Sequence, residues 1–246
     1  MSGHSKWSTI KRAKGKTDAA RSAVFTKIGR EIAVAVKAGG ADPSTNSSLR
    51  AIIAKAKAAN MPNDNINRSI KKASGEVGNI NYESNVYEGY GISGVAVIVE
   101  TLTDNKNRTG GDVRHIFDKF GGALGTNGCV SYMFESKGII LIEKTDKMDD
   151  DEMMMIALDA GADDFSEEDG LYEIVTSPES FNEVRENLEK QGYSFVKSEV
   201  SKIPNMTVSI SGDAAVKFTR MLDMFEENDD VQNVYHNAEL PEEDEE

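Results

Sequence analysis

The chain has 246 residues, 39% of them hydrophobic and 28% charged, with a formal net charge of −14. That is the composition of an ordinary soluble globular protein with room for two or three modest domains. A single cysteine, Cys129, excludes an internal disulfide framework, and with three scattered histidines (His4, His115, His236) it gives no zinc-type spacing.

The longest apolar runs, such as Ile32 to Val36 and Val95 to Val99, are far shorter than a bilayer-spanning helix. The N-terminus has no apolar leader segment, so the sequence predicts a cytoplasmic protein with no membrane partner. Net charge hides a strong segregation. Residues 1–75 hold fifteen Lys or Arg against Asp18, Glu31, Asp42 and Asp64, a balance of +11. Residues 76–246 hold the other thirteen bases and thirty-eight acids, a balance of −25.

The basic end opens with an arm, Met1 to Lys16, in which Lys6, Lys11, Arg12, Lys14 and Lys16 occur without one acid. A cationic arm on an anionic chain is an electrostatic footprint for a polyanion. Trp7, the only tryptophan, and His4 lie among these bases and can stack on nucleobases, although Trp7 can equally tuck against the helices that follow. The candidate nucleic-acid-binding residues are therefore His4, Lys6, Trp7, Lys11, Arg12, Lys14 and Lys16, continued by Arg21, Lys27 and Arg30.

From Thr17 or Asp18, either of which can cap it, a helix is predicted with Phe25, Ile28, Ile32 and Ala35/Val36 as its inward stripe. Lys27, Arg30, Val34 and Lys37 share a second, mostly basic face. Gly39-Gly40 ends it. A second helix is predicted from about Asn46 to Ala59, with Leu49, Ile52/Ile53 and Ala56 inward. Pro62 opens a third, lined by Ile66, Ile70 and Ala73. Small side chains give this domain a small core, which predicts a head mobile relative to the rest.

After Gly78 the period changes to two. Residues 85–90 and 95–100 read as a hairpin. Thr103-Asp104-Asn105 caps a helix through Val113, Ile116, Phe117 and Phe120. The glycine-rich run from Gly121 to Gly128 stops it, and Val130 to Phe134 is predicted as the next strand. From Gly138 the order is strand (139–142), helix (150–159), strands (163–165 and 171–175), helix (178–190), strand (195–200). That is the ferredoxin-like βαββαβ arrangement. A last strand–helix–strand (207–210, 214–226, 231–235) is too short to bury its own core, so it is predicted to complete the earlier hairpin and helix.

The expected fold class is α+β: an N-terminal three-helix domain followed by two α/β, ferredoxin-like-type domains, the middle one discontinuous. The expected domains are 1–78, then 79–136 joined to 204–240, with 137–203 inserted and an acidic tail at 241–246.

Gly3-His4-Ser5-Lys6-Trp7, Asp18 with Arg21, Phe25-Thr26-Lys27, Arg30-Glu31-Ile32 and Gly39-Gly40-Ala41-Asp42-Pro43 resemble successive signatures of the YebC family. So do Asn60-Met61-Pro62, Asp64-Asn65-Ile66, Tyr87-Glu88-Gly89-Tyr90-Gly91, Thr103-Asp104-Asn105 and Asn107-Arg108-Thr109. The resemblance covers nearly the whole chain and implies one helical and two α/β domains. It also implies a cytoplasmic, non-enzymatic regulator, described either as a DNA-binding transcriptional regulator or as a ribosome-associated translation factor that helps at proline-rich sequences. Gly110-Gly111 departs from the family, whose members usually carry better helix formers there.

Ribosomal RNA, free or on the ribosome itself, is thus the expected partner, with duplex DNA the alternative. No zinc finger, basic zipper or convincing helix-turn-helix spacing argues for reading base edges. No cofactor, metal or small-molecule substrate is expected, because no base, nucleophile and ligand constellation is present. The Gly121–Gly128 run can cradle a phosphate through its amides, although a plain helix stop is the simpler reading. Met153-Met154-Met155 can form an adaptable surface, but its helical spacing with Ile156 and Leu158 predicts core.

Overall fold

The computed structural model describes residues 18–75, 80–145, 148–168 and 170–241. The fold is α+β, as the periodicities predict. The chain divides into two compact units, one of them Tyr132–Thr207 and the other containing residues 18–131 and 208–241.

In the larger unit, α1 (Asp18–Gly39), α2 (Ser47–Ala58) and α3 (Asn63–Ser74) form the helical head. Ile28, Ile32, Ala35 and Val36 of α1 pack with Leu49, Ala56, Met61 and Ile66, all nearly sealed from solvent. Full burial of a side chain such as Leu49 is worth about 1.5–3 kcal/mol. The turn between α1 and α2 is built around Asn46. Its Oδ1 accepts from Leu49 N at 3.0 Å, while its Nδ2 donates to Ala35 O and Gly40 O, both at 2.8 Å. A Cβ on Gly39 would lie 2.8 Å from that Nδ2, and Gly40 takes φ +85°, so both glycines are needed.

The same unit contains a sheet of order β3-β1-β2-β9: β1 (Glu83–Tyr90), β2 (Ala96–Thr103), β3 (Ala123–Leu124) and β9 (Val231–His236). β1 and β2 are the expected hairpin, in register from Glu83 opposite Thr103 to Tyr90 opposite Ala96. Helix α4 (Lys106–Lys119) runs unbroken through Gly110-Gly111, with Asn105 capping Arg108 N at 3.1 Å. It packs with α7 (Gly212–Glu227) on one face of the sheet. Val95, Val97 and Val99 meet Val113, Ile116 and Phe117 there, together with Phe218, Met221 and Phe225. Phe117 and Phe225 cross edge to face at 5.5 Å.

Two strand expectations differ from the structure. Residues 130–134 are not a strand of this sheet: Ser131–Met133 form a single 3₁₀ turn, and Phe134 begins the first strand of the other unit. The third strand is instead β3, inside the glycine run, where a Cβ on Gly122 would lie 2.5 Å from Tyr90 O. Likewise β8 (Val208–Ser209) does not join the main sheet but pairs in parallel with β10 (Ala238–Glu239).

The second unit is a sheet of order β5-β6-β4-β7, every pair antiparallel. Its strands are β4 (Phe134–Glu143), β5 (Asp164–Glu168), β6 (Leu171–Thr176) and β7 (Lys197–Pro204), with helices α5 (Asp150–Asp159) and α6 (Phe181–Lys190). Element order and strand order together make the split βαββαβ fold. Ile140, Ile142, Tyr172 and Ile174 pack under Met153, Ala157, Phe181, Val184 and Leu188. The Met triplet is therefore core only at Met153, because a helix lying on a sheet buries one face.

Candidate nucleic-acid interface

The described helices of the head divide their bases between two uses. On α1, Lys27, Arg30 and Lys37 lie at helical spacing and all have partners within the larger unit, Lys27 and Arg30 part-buried and Lys37 at the surface. Lys27 Nζ donates to Glu226 O at 2.7 Å, Arg30 Nη1 to Leu102 O at 3.0 Å, and Lys37 Nζ to Asn81 Oδ1. Arg30 also pairs with the carboxylate of Asp230 and lies 5.6 Å from the centre of the Tyr82 ring. Arg50 and Lys57 on α2 and Arg68, Lys71 and Lys72 on α3 are instead exposed. Among the described residues these five make no ion pair, whereas Lys55 is paired with Glu31 at 2.6 Å. Lys71 and Lys72 also face the negative end of the α3 dipole.

Asp230 is the centre of the α1 attachment. It is 4% exposed, and its Oδ2 accepts from Thr109 Oγ1 at 2.6 Å, Arg108 Nη2 at 2.8 Å and Thr103 Oγ1 at 3.1 Å. Burial alone would push this carboxyl up. The hydrogen bonds from Thr109, Arg108 and Arg30 and the charge of Arg30 outweigh it and hold the group down at about 2. Arg108 is itself raised, by its hydrogen bonds to Asp230 and then to Asp104. Arg108 and Asp104, one helical turn apart, form a local ion pair at 2.8 Å. Sequence reasoning missed Asp230, which is far away in the chain and carried no local signal.

The glycine run does not leave an open anion cradle. The backbone N–H groups of Gly128, Val130 and Ser131 donate to the Glu88 carboxylate at 2.9, 3.0 and 2.9 Å. Desolvation would raise the Glu88 pKa, but these amides lower it on balance. Burial and the Glu88 charge raise the neighbouring Cys129 thiol. Within the run itself Gly128 serves this carboxylate, while the amides of Gly121, Gly122 and Gly125 donate to the backbone carbonyls of Asp118, Phe117 and Glu88.

Of the ten candidate residues, His4, Lys6, Trp7, Lys11, Arg12, Lys14 and Lys16 lie outside the described residues, and Arg21 is placed in α1 by its backbone alone. Lys27 and Arg30 are the two with described side chains, and both bind within the unit. No group of His, Cys, Asp or Glu among the described residues is arranged to hold a metal ion. No described helix is long and apolar enough to cross a membrane.

These features define a class: a basic three-helix head pinned by the buried Arg30–Asp230 ion pair to an α/β body, with a ferredoxin-like unit between the body's two chain segments. Residues 5–76 match the family description "TACO1/YebC protein N-terminal domain", and residues 82–238 match "TACO1/YebC second and third domain". The chain belongs to the TACO1/YebC family. A protein of Acetivibrio thermocellus named "probable transcriptional regulatory protein" is 61% identical over 238 residues, covering 96% of this chain and 98% of that one. One of Clostridium botulinum with the same designation is 62% identical, covering 98% of each. The crystal structure of a conserved hypothetical protein from Aquifex aeolicus superposes with a TM-score of 0.81 at 45% identity, over 93% of this chain and 94% of that one.

Proposed function

We propose that this chain is a regulator of gene expression that binds nucleic acid through its helical head, acting as an RNA- or ribosome-associated factor that relieves stalling at proline-rich sequences. The observation that carries the reading is the segregation of charge, +11 over residues 1–75 against −25 over the remainder. The phosphate-facing set is the arm (His4, Lys6, Trp7, Lys11, Arg12, Lys14, Lys16) with Arg21, extended by the exposed bases of α2 and α3. Lys27 and Arg30 hold the head in place. We read 1–78 as the binding domain, 79–136 with 204–240 as its support, and 137–203 as an inserted module.

The names of the relatives favour a second reading, a DNA-binding transcriptional regulator that uses the same bases. The two separate in one experiment. Purified protein is co-sedimented with ribosomes at roughly physiological salt with excess duplex DNA as competitor. Retention that is lost when Lys11, Arg12, Lys14 and Lys16 become Ala supports the translation factor. Displacement by the DNA moves the regulator reading ahead, and no binding to ribosomes, RNA or DNA at any salt overturns both.

A further inference from the structure

Helix α5 presents an apolar face to solvent. Met153 and Ala157 enter the core at 2% and 0% exposure, yet Met154, Met155 and Leu158 are 39%, 63% and 48% exposed. At about 100° per residue these three fall within one arc of the helix, and Met155 points directly away from the core. Single exposed apolar side chains are ordinary, but three adjacent on one helix face mark an interaction surface. Two of them are methionines, whose flexible thioethers adapt to the shape of a partner.

The rim selects the kind of partner. Asp151 shares the stripe with Met154, Met155 and Leu158, and Glu152 and Asp159 border it, all exposed. Among the described residues none of the three makes an ion pair, whereas Asp150 next to them is held by Lys144 and Tyr172. Residues 132–207 carry nineteen acids against seven bases, a balance of −12. That sign repels nucleic acid and anionic lipid, and attracts a cationic polypeptide.

We propose that the Asp151–Met154–Met155–Leu158 face of α5 docks a basic amphipathic segment of another protein. Its apolar residues seat on the methionines and Leu158, and its Lys or Arg side chains pair with Asp151, Glu152 and Asp159. This surface belongs to residues 132–207 rather than to the basic head, and goes beyond the reading of that head.

The test uses the full chain with isotope-labelled methionine methyl groups and a synthetic helical Leu/Lys peptide of about 14 residues. A Leu/Glu peptide and a single-stranded RNA oligonucleotide serve as controls. Saturable shifts of the Met154 and Met155 methyls, with Met153 and the exposed Met206 unmoved, are expected from the Leu/Lys peptide alone. Met155→Ser combined with Leu158→Ser should weaken binding about tenfold, and Asp151→Asn combined with Asp159→Asn about threefold with a shallower salt dependence. The proposal is overturned by an absent or unsaturable shift, by equal shifts at Met206, or by equal response to the Leu/Glu peptide or the RNA. It is also overturned if the same methyls shift with protein concentration without peptide, since the occupant would then be a second copy.

Discussion

Replacing Asp230 by Asn keeps the volume of the side chain but removes the charge that holds Arg30 and Arg108. Stripping one partner from a fully enclosed ion pair costs about 3–5 kcal/mol. The Arg108 side chain is 47% exposed and regains water, so the expected loss at neutral pH is about 2–3 kcal/mol. Linkage gives a second measure. The carboxyl drops from 3.8 to about 2 on folding, which at 1.36 kcal/mol per unit, discounted for solvent screening, is on the order of 1–2 kcal/mol. Because the folded value is depressed, this stabilisation is complete above about pH 4 and is lost as pH falls toward 2. Urea unfolding by circular dichroism at pH 7, 4 and 3, with hydrogen exchange of the α1 amides alongside, measures it. The gap between wild type and variant should narrow across that window. Arg30→Met and Asp230→Asn should couple by about 1 kcal/mol in a double-mutant cycle. A gap that is the same at pH 7 and pH 3, or strictly additive variants, would refute the account of how α1 is held.

Glu88→Gln should loosen residues 128–131 by about 1–3 kcal/mol, since three backbone donors lose a charged acceptor. It should also lower the Cys129 thiol pKa and speed its alkylation, and an unchanged rate counts against the cradle. Gly138→Ala places a Cβ 2.2 Å from Thr176 Oγ1 and 2.6 Å from Phe181 Cδ2. It should cost the ferredoxin-like unit about 2–4 kcal/mol in thermal unfolding. Asn46→Ala removes an N-cap and the donors to the buried Ala35 carbonyl and the part-buried Gly40 carbonyl, so the head should lose about 2 kcal/mol, seen as faster exchange of α1 and α2 amides.

Much of this architecture was written locally. Gly39-Gly40 and Pro62 punctuate the head, and Asp149 caps an α5 whose bounds match the expected ones. What was not legible depends on contacts across the chain. β3 is two residues long and exists because Gly89 and Gly122 let backbones approach, which no period-two pattern announces. Met153-Met154-Met155 with Ile156 and Leu158 read as core, but only tertiary placement decides which face of the helix is covered. The basic face of α1 reads as a continuation of the nucleic-acid-binding arm because Asp230 and Glu226, which receive its cations, lie about two hundred residues later. Charge composition was legible in bulk, and its distribution between partners inside and outside the fold was not.

The place of β9 sets an order of assembly on the ribosome. β2 is buried along nearly its whole length, and part of its cover comes from α7 and β9, which are synthesised only after the entire ferredoxin-like unit. At about 5–20 residues per second, the hairpin waits on the order of 10 s for these segments while the ferredoxin-like unit becomes complete first. Asp230 arrives in the same late stretch. During that interval α1 has no latch, and the basic head meets whatever surrounds the nascent chain before the body that will hold it is whole.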